Sequence, residues 1–150
     1  MTYAPPLAPL PTETAAFTGC SLSASPDAAS RARSFTRHAL ACWGLAELAE
    51  DAQVIVSELL ANAIRHGCPG QPGGHPRAEA DAPGLWLLRQ AEGLMCVVTD
   101  PSNLAPALKQ PGDTSECGRG LHVVHALSDH WGWTPLREHG KAVWAILFRG

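Results

Sequence analysis

A chain of 150 residues with a formal net charge of −3 holds about one domain's worth of sequence. It lacks the lysine or arginine run with which a direct nucleic-acid binder neutralises phosphates. Hydrophobic residues at 45% and charged residues at 17% are globular proportions, which excludes a disordered or fibrous chain.

The opening stretch, residues 1–15, is rich in proline (Pro5, Pro6, Pro9, Pro11) and shows little periodicity, so it reads as a flexible leader ahead of a domain over residues 16–150. It has no positive charge before its apolar positions, unlike a signal peptide. Nor does any apolar stretch approach the ~20 residues that cross a bilayer, and no membrane association is expected. The cysteines Cys20, Cys42, Cys68, Cys96 and Cys117 are scattered and never form a Cys-x-x-Cys pair, which suits free thiols and a cytoplasmic location.

Phe17 to Leu22 reads as a short strand. Ser25-Pro26-Asp27 then opens a helix, with Ser25 as N-cap, and Ala28, Ala32, Phe35, Ala39 and Trp43 place apolar side chains on one face. Gly44 is its stop. A second helix is predicted from Ala46 to Arg65, with Val54, Leu59 and Ala61 to Ile64 as apolar positions and Gly67 as terminator. The glycine- and proline-rich run Cys68 to Gly84 is a loop.

Leu85 to Ala91 and Leu94 to Thr99, joined through Glu92-Gly93, read as a hairpin whose second strand ends at Asp100. After an irregular stretch, Gly118-Arg119-Gly120 leads into a helix from Leu121 to Leu127. Two closing strands follow at about Trp131 to Leu136 and Ala142 to Phe148. The order implies an α/β two-layer sandwich with a mixed, mainly antiparallel sheet and helices on one face.

Three short pieces carry polar groups in places where chemistry can occur. Glu58, Asn62 and His66 follow at four-residue steps, so they stack along one side of the second helix. A carboxylate one turn before a carboxamide offers a general base beside an oxygen ligand for Mg²⁺, although a solvated polar stripe has the same spacing. Asp100 closes an apolar strand, where it can accept a hydrogen bond from an amino group or simply start a turn before Pro101. Gly118 and Gly120 flank Arg119 ahead of Leu121 at a helix start, where backbone N–H groups and the helix dipole favour an anion.

Glu-x-x-x-Asn on a helix, Asp at a strand end and Gly-x-Gly-Leu opening a helix, in that order, resemble the GHKL ATPase superfamily of gyrase, the heat-shock chaperone, sensor histidine kinases and mismatch-repair ATPases. Within it, Ser57 to Gly67 is similar to the N-box of the anti-sigma-factor serine kinases. Gly118 to Leu121, Asp129-x-Trp131-Gly132 and Gly140 to Ala145 resemble the same group, notably the short stand-alone members of actinobacteria. The resemblance covers Pro26 to Phe148 and implies the Bergerat-type ATP-binding fold.

It further implies that Glu58 orients or deprotonates an attacking hydroxyl and that Asn62 binds Mg²⁺ on the ATP phosphates. Asp100 would read the adenine amino group, and Gly118, Arg119, Gly120 and Leu121 would meet the phosphates. His66 either faces the nucleotide or answers the helix C-terminal dipole. The expected function is that of a serine/threonine protein kinase and anti-sigma factor acting on an anti-anti-sigma partner, with a sigma factor as second partner. The resemblance also allows a homodimer through the first strand and helix.

The sequence departs from the superfamily's Asp-x-Gly-x-Gly, since Asp100 is followed by Pro101, Ser102, Asn103 and Leu104. The alternative is therefore a non-catalytic ATP-binding switch that sequesters a partner. A zinc site from Cys117, His122, His125 and His130 lacks ligand spacing. The five tryptophans suit packing better than base stacking, given so little basic charge.

Overall fold

A computed structural model describes residues 16–22, 26–64, 82–101, 119–137 and 140–150. Five strands form one sheet: β1 (Phe17–Ser21), β2 (Gly84–Gln90), β3 (Gly93–Asp100), β4 (His130–Pro135) and β5 (Lys141–Phe148). Three α-helices accompany it, α1 (Ala28–Cys42), α2 (Ala49–Ile64) and α3 (Arg119–Leu127), with a single 3₁₀ turn at Ala46–Leu48 leading into α2. The strand order is β1-β2-β3-β5-β4, and every pairing is antiparallel, so the mixed character expected of the sheet does not occur among these strands.

α1 is closed by a local device that the sequence announces. Gly44 sits at φ 70°, the N–H of Leu45 bonds to the carbonyl of Leu40 at 2.8 Å, and the Gly44 N–H reaches Ala41. This is a Schellman end, sealed by the two buried leucines at its sides. Ser25 lies outside the described residues. Asp27 occupies the N-cap position and makes no capping hydrogen bond.

The buried stripe of α1 is Ala28, Ala32, Thr36 and Leu40, with Phe35, Ala39 and Trp43 at its margin. A threonine tolerates that burial because its hydroxyl donates back to the Ala32 carbonyl at 2.8 Å. On α2, the core positions are Ala52, Ile55, Val56, Leu59, Leu60 and Ala63, whereas Val54, expected to be apolar and inward, is exposed.

The pleat sorts the sheet into two faces. Leu85 and Leu87, Leu94, Cys96 and Val98, and Val143, Ala145 and Leu147 turn to the helices and join α1, α2 and α3 in the main core. Burial there pushes the Cys96 thiol up to about 12, which makes it a packing residue rather than a nucleophile. On the opposite face Met95, Val97, Ala142 and Trp144 form a second apolar cluster, with Leu88 and Ile146 beside it.

Candidate functional site

α2 commits one face to the core, which leaves Glu58 and Asn62 half-buried on its flank, one turn apart. α3 packs against α2 and is anchored by Leu121 and Val124, both buried in the main core. That anchoring sets Gly120, in the first turn of α3, directly on Glu58. A Cβ added to Gly120 would stand 2.5 Å from Glu58 Oε2 and 3.4 Å from Glu58 Cβ. A side chain there would push the carboxylate aside.

The first N–H groups of a helix have no partner within it and carry its positive dipole end. Glu58 is therefore held beside a surface suited to anions. The side chain of Leu121 is buried in the core.

Asn62 adds an unfinished hydrogen bond. Its Nδ2 is buried with no acceptor among the described residues. An orphaned buried donor costs roughly 1–3 kcal/mol. Such a group is retained where a ligand completes it, and a carboxamide also carries an oxygen able to bind a hard cation.

Asp100 continues the even-numbered series Leu94, Cys96, Val98 on β3, and so lies on the sheet face that α2 covers. It is not an exposed turn residue. Its Oδ2 accepts from Lys141 Nζ at 3.0 Å, and the two side chains are 4% and 6% exposed. Register makes the pair, because Asp100 at the end of β3 stands opposite Lys141 at the start of β5. Gly140 precedes Lys141 at φ 86°, and a Cβ on it would run into the Asp100 carbonyl oxygen. The corner that lacks glycines after Asp100 thus has one supplied by the neighbouring strand.

Structure thereby joins Glu58 to Gly120, sets Asn62 on the same flank and directs Asp100 to the same layer. His66 and Gly118 lie outside the described residues, as do Ser102, Asn103 and Cys117; Arg119 is described only as the first residue of α3. The histidines near α3 have other engagements. His125 Nδ1 accepts from Trp131 Nε1 at 3.1 Å, and His130 stands edge-on to Phe148.

Sequence reasoning missed Lys141 as a partner of Asp100. The signal was a single lysine at the head of the apolar run Ala142 to Phe148, but only strand register identifies what it faces. Asp129, quoted above only as part of a motif, closes the far end of the sheet: its Oδ2 accepts the Phe148 N–H at 2.7 Å.

Residues 22–147 match the family described as the histidine kinase-like ATPase domain. No curated protein matches the chain. Among the described residues, no helix is long and apolar enough to cross a membrane.

Proposed function

The chain belongs to the histidine kinase-like ATPase family, and on that premise we propose that it is an ATP-dependent serine/threonine protein kinase and anti-sigma factor acting on an anti-anti-sigma partner. The observation that carries the reading is the Glu58 carboxylate seated on Gly120 at the start of α3, with the orphaned carboxamide of Asn62 one turn along.

Those residues fit a magnesium-bound triphosphate. Gly120 is a position that a Cβ would fill, and Asn62 has a buried polar group awaiting a partner. Asn62 would hold Mg²⁺, whose chemistry is to neutralise phosphate charge. The backbone N–H groups opening α3, Gly120 and Leu121 among them, would receive phosphate oxygens, with Gly118 and Arg119 just ahead. His66 is proposed as a further nucleotide contact.

Glu58 would orient the attacking serine hydroxyl and take its proton at a carboxylate oxygen. Asp100 would present a carboxylate to the adenine amino group while Lys141 fixes its position. Proton transfer at a positioned carboxylate contributes ~10²–10⁴-fold to a rate.

The second reading, a non-catalytic switch that sequesters a sigma factor or its antagonist, is favoured by one observation. Asp100 already spends one oxygen on a buried lysine, and no glycine follows it.

Calorimetric titration with Mg-ATP, run beside transfer of radiolabelled phosphate to candidate partners, tests both. The kinase reading expects binding and labelling, with Glu58→Ala abolishing labelling but not binding. Asn62→Ala should weaken both, and Asp100→Ala chiefly binding. Binding without labelling of any partner, while a partner is still held, establishes the switch. No binding at millimolar Mg-ATP overturns both nucleotide readings.

A further inference from the structure

We propose that the outward face of α1, built on Arg31, Arg33 and Arg37, docks an acidic segment of a partner protein, with Val54 of α2 as its apolar contact. Nucleotide binding plays no part in it.

α1 buries a narrow stripe, Ala28, Ala32, Thr36 and Leu40. At about 3.6 residues per turn the other side of the helix carries Ser30, Arg31, Arg33, Arg37 and His38, and all five are exposed. From Ala28 to Cys42 the helix has three arginines and no acidic residue, in a chain whose net charge is −3. Asp27 precedes it, and the next carboxylate along the chain is Glu47. Everything outside α1 is therefore more acidic than the chain as a whole.

The helix gains nothing from this arrangement. Arg31 stands in the first turn, where a cation opposes the dipole, and the last turn, where one would stabilise, has no basic residue. Arg33 and Arg37 are one turn apart, a spacing at which like charges repel. Among the described residues no carboxylate forms an ion pair with any of the three. Arg33 alone has a side-chain contact, its Nη1 donating to Ser57 Oγ at 3.4 Å. Charge gathered on one helix at such a cost serves a contact made outside the fold.

Size and surroundings select the kind of partner. From Arg31 to Arg37 is ~9 Å at ~1.5 Å per residue. That is close to the ~8 Å over which physiological salt screens a charge, so the patch attracts only a compact group of anions. A nucleic acid or an anionic bilayer carries its charge much further and would also face the acidic remainder of the chain. A protein segment can set its carboxylates over the patch alone. Every formal cation in the patch is an arginine, whose planar fork meets a carboxylate through two parallel hydrogen bonds.

The bond from Arg33 to Ser57 brings the edge of the patch against α2. Val54 stands three residues before Ser57, hence next to it on the helix surface, and it is exposed although apolar. Cations bordering one apolar side chain complement an amphipathic acidic helix, with carboxylates at three- and four-residue steps and an apolar residue beside them.

The probe is a fluorescein-labelled helical peptide of that pattern, with glutamates at those steps and leucine on the flank, titrated with the full chain and read by anisotropy. Its Glu→Gln counterpart, oligothymidylate and phosphatidylserine vesicles run beside it. The acidic peptide should bind and the glutamine peptide should not. Arg31→Glu with Arg33→Glu and Arg37→Glu should weaken the acidic peptide roughly tenfold or more, and the same variant should bind a lysine version of the peptide. Val54→Asp should weaken the acidic peptide several-fold. Equal binding by the parent chain and the triple variant, or no binding at millimolar peptide, overturns the proposal. So does binding of oligothymidylate or of the vesicles as tight as that of the peptide, which would make α1 a surface for extended polyanions.

A second measurement asks whether the arginines serve the fold instead. Arg31→Gln with Arg37→Gln should leave the thermal midpoint of the full chain unchanged or raise it, because the charges removed oppose the dipole and each other. A lowered midpoint refutes the proposal.

Discussion

At the Glu58–Gly120 contact a side chain is missing so that a carboxylate can lie against a helix start; at the Asp100–Lys141 pair a charge is added so that a carboxylate can stay buried. The first corner is left open, with an orphaned amide beside it. The second is closed on itself, its ion pair sealed and its backbone braced by Gly140. The difference is one of purpose in energy. An open corner holds unsatisfied polar groups that a ligand can complete, whereas the ion-paired corner has one carboxylate oxygen already held by the fold and keeps its shape without a ligand.

Substitutions at the two corners should therefore move stability in different directions. The largest effect is expected for Lys141→Ala, which removes the cation that a buried carboxylate is paired with and should cost roughly 3–5 kcal/mol in urea denaturation. The double change Asp100→Leu with Lys141→Met should recover most of that loss, because a buried pair replaced by apolar groups is often neutral. If the single variant is as stable as the parent, the corner is not closed.

Gly140→Ala comes next. A left-handed φ alone costs an L-residue about 1–2 kcal/mol, and the clash with the Asp100 carbonyl adds to it. A fall in the thermal midpoint without loss of secondary structure is the expected reading.

At the open corner the sign should reverse. Asn62→Leu removes an orphaned donor and should raise nucleotide-free stability by about 1–3 kcal/mol, while abolishing any stabilisation by Mg-ATP. A destabilised Asn62→Leu would show that Asn62 is already satisfied.

The smallest shift is expected for Glu58→Gln, within about 0.5 kcal/mol, since the residue is half-buried and keeps its shape. Its phosphotransfer should nevertheless fall by ~10²–10⁴-fold. Comparing unfolding midpoints with labelling rates separates the two effects.

The placement of Glu58 and Asn62 on one flank was legible in the sequence because its logic is local, whereas the contact of Glu58 with Gly120 was not. Four-residue spacing places Glu58 and Asn62 on one flank without knowledge of anything distant, and a glycine before an apolar helix marks a close approach. Helix and strand positions were legible for the same reason, down to Gly44 as a helix stop.

What stayed hidden depends on register between strands far apart in the chain. Asp100 and Lys141 are 41 residues apart, and nothing near either names the other. Val54 misled because apolar character predicts which face is available and not which one packs. Thr36 entered the core unannounced because its hydroxyl is satisfied by its own helix.

The strand order β1-β2-β3-β5-β4 also dictates how the chain must assemble. β2 and β3 meet across the two-residue turn Ala91-Glu92, and β4 and β5 are neighbours in sequence, so both hairpins are local and can form in ~1–10 μs. The β3–β5 seam is not local, since it must close a loop that contains α3, and the entropy of that closure makes it the slow event. Until it closes, two central strands rich in Val, Leu, Ile and Ala present bare edges. Refolding from denaturant at high protein concentration should therefore lose yield to intermolecular pairing along β3 and β5, and dilution should restore it.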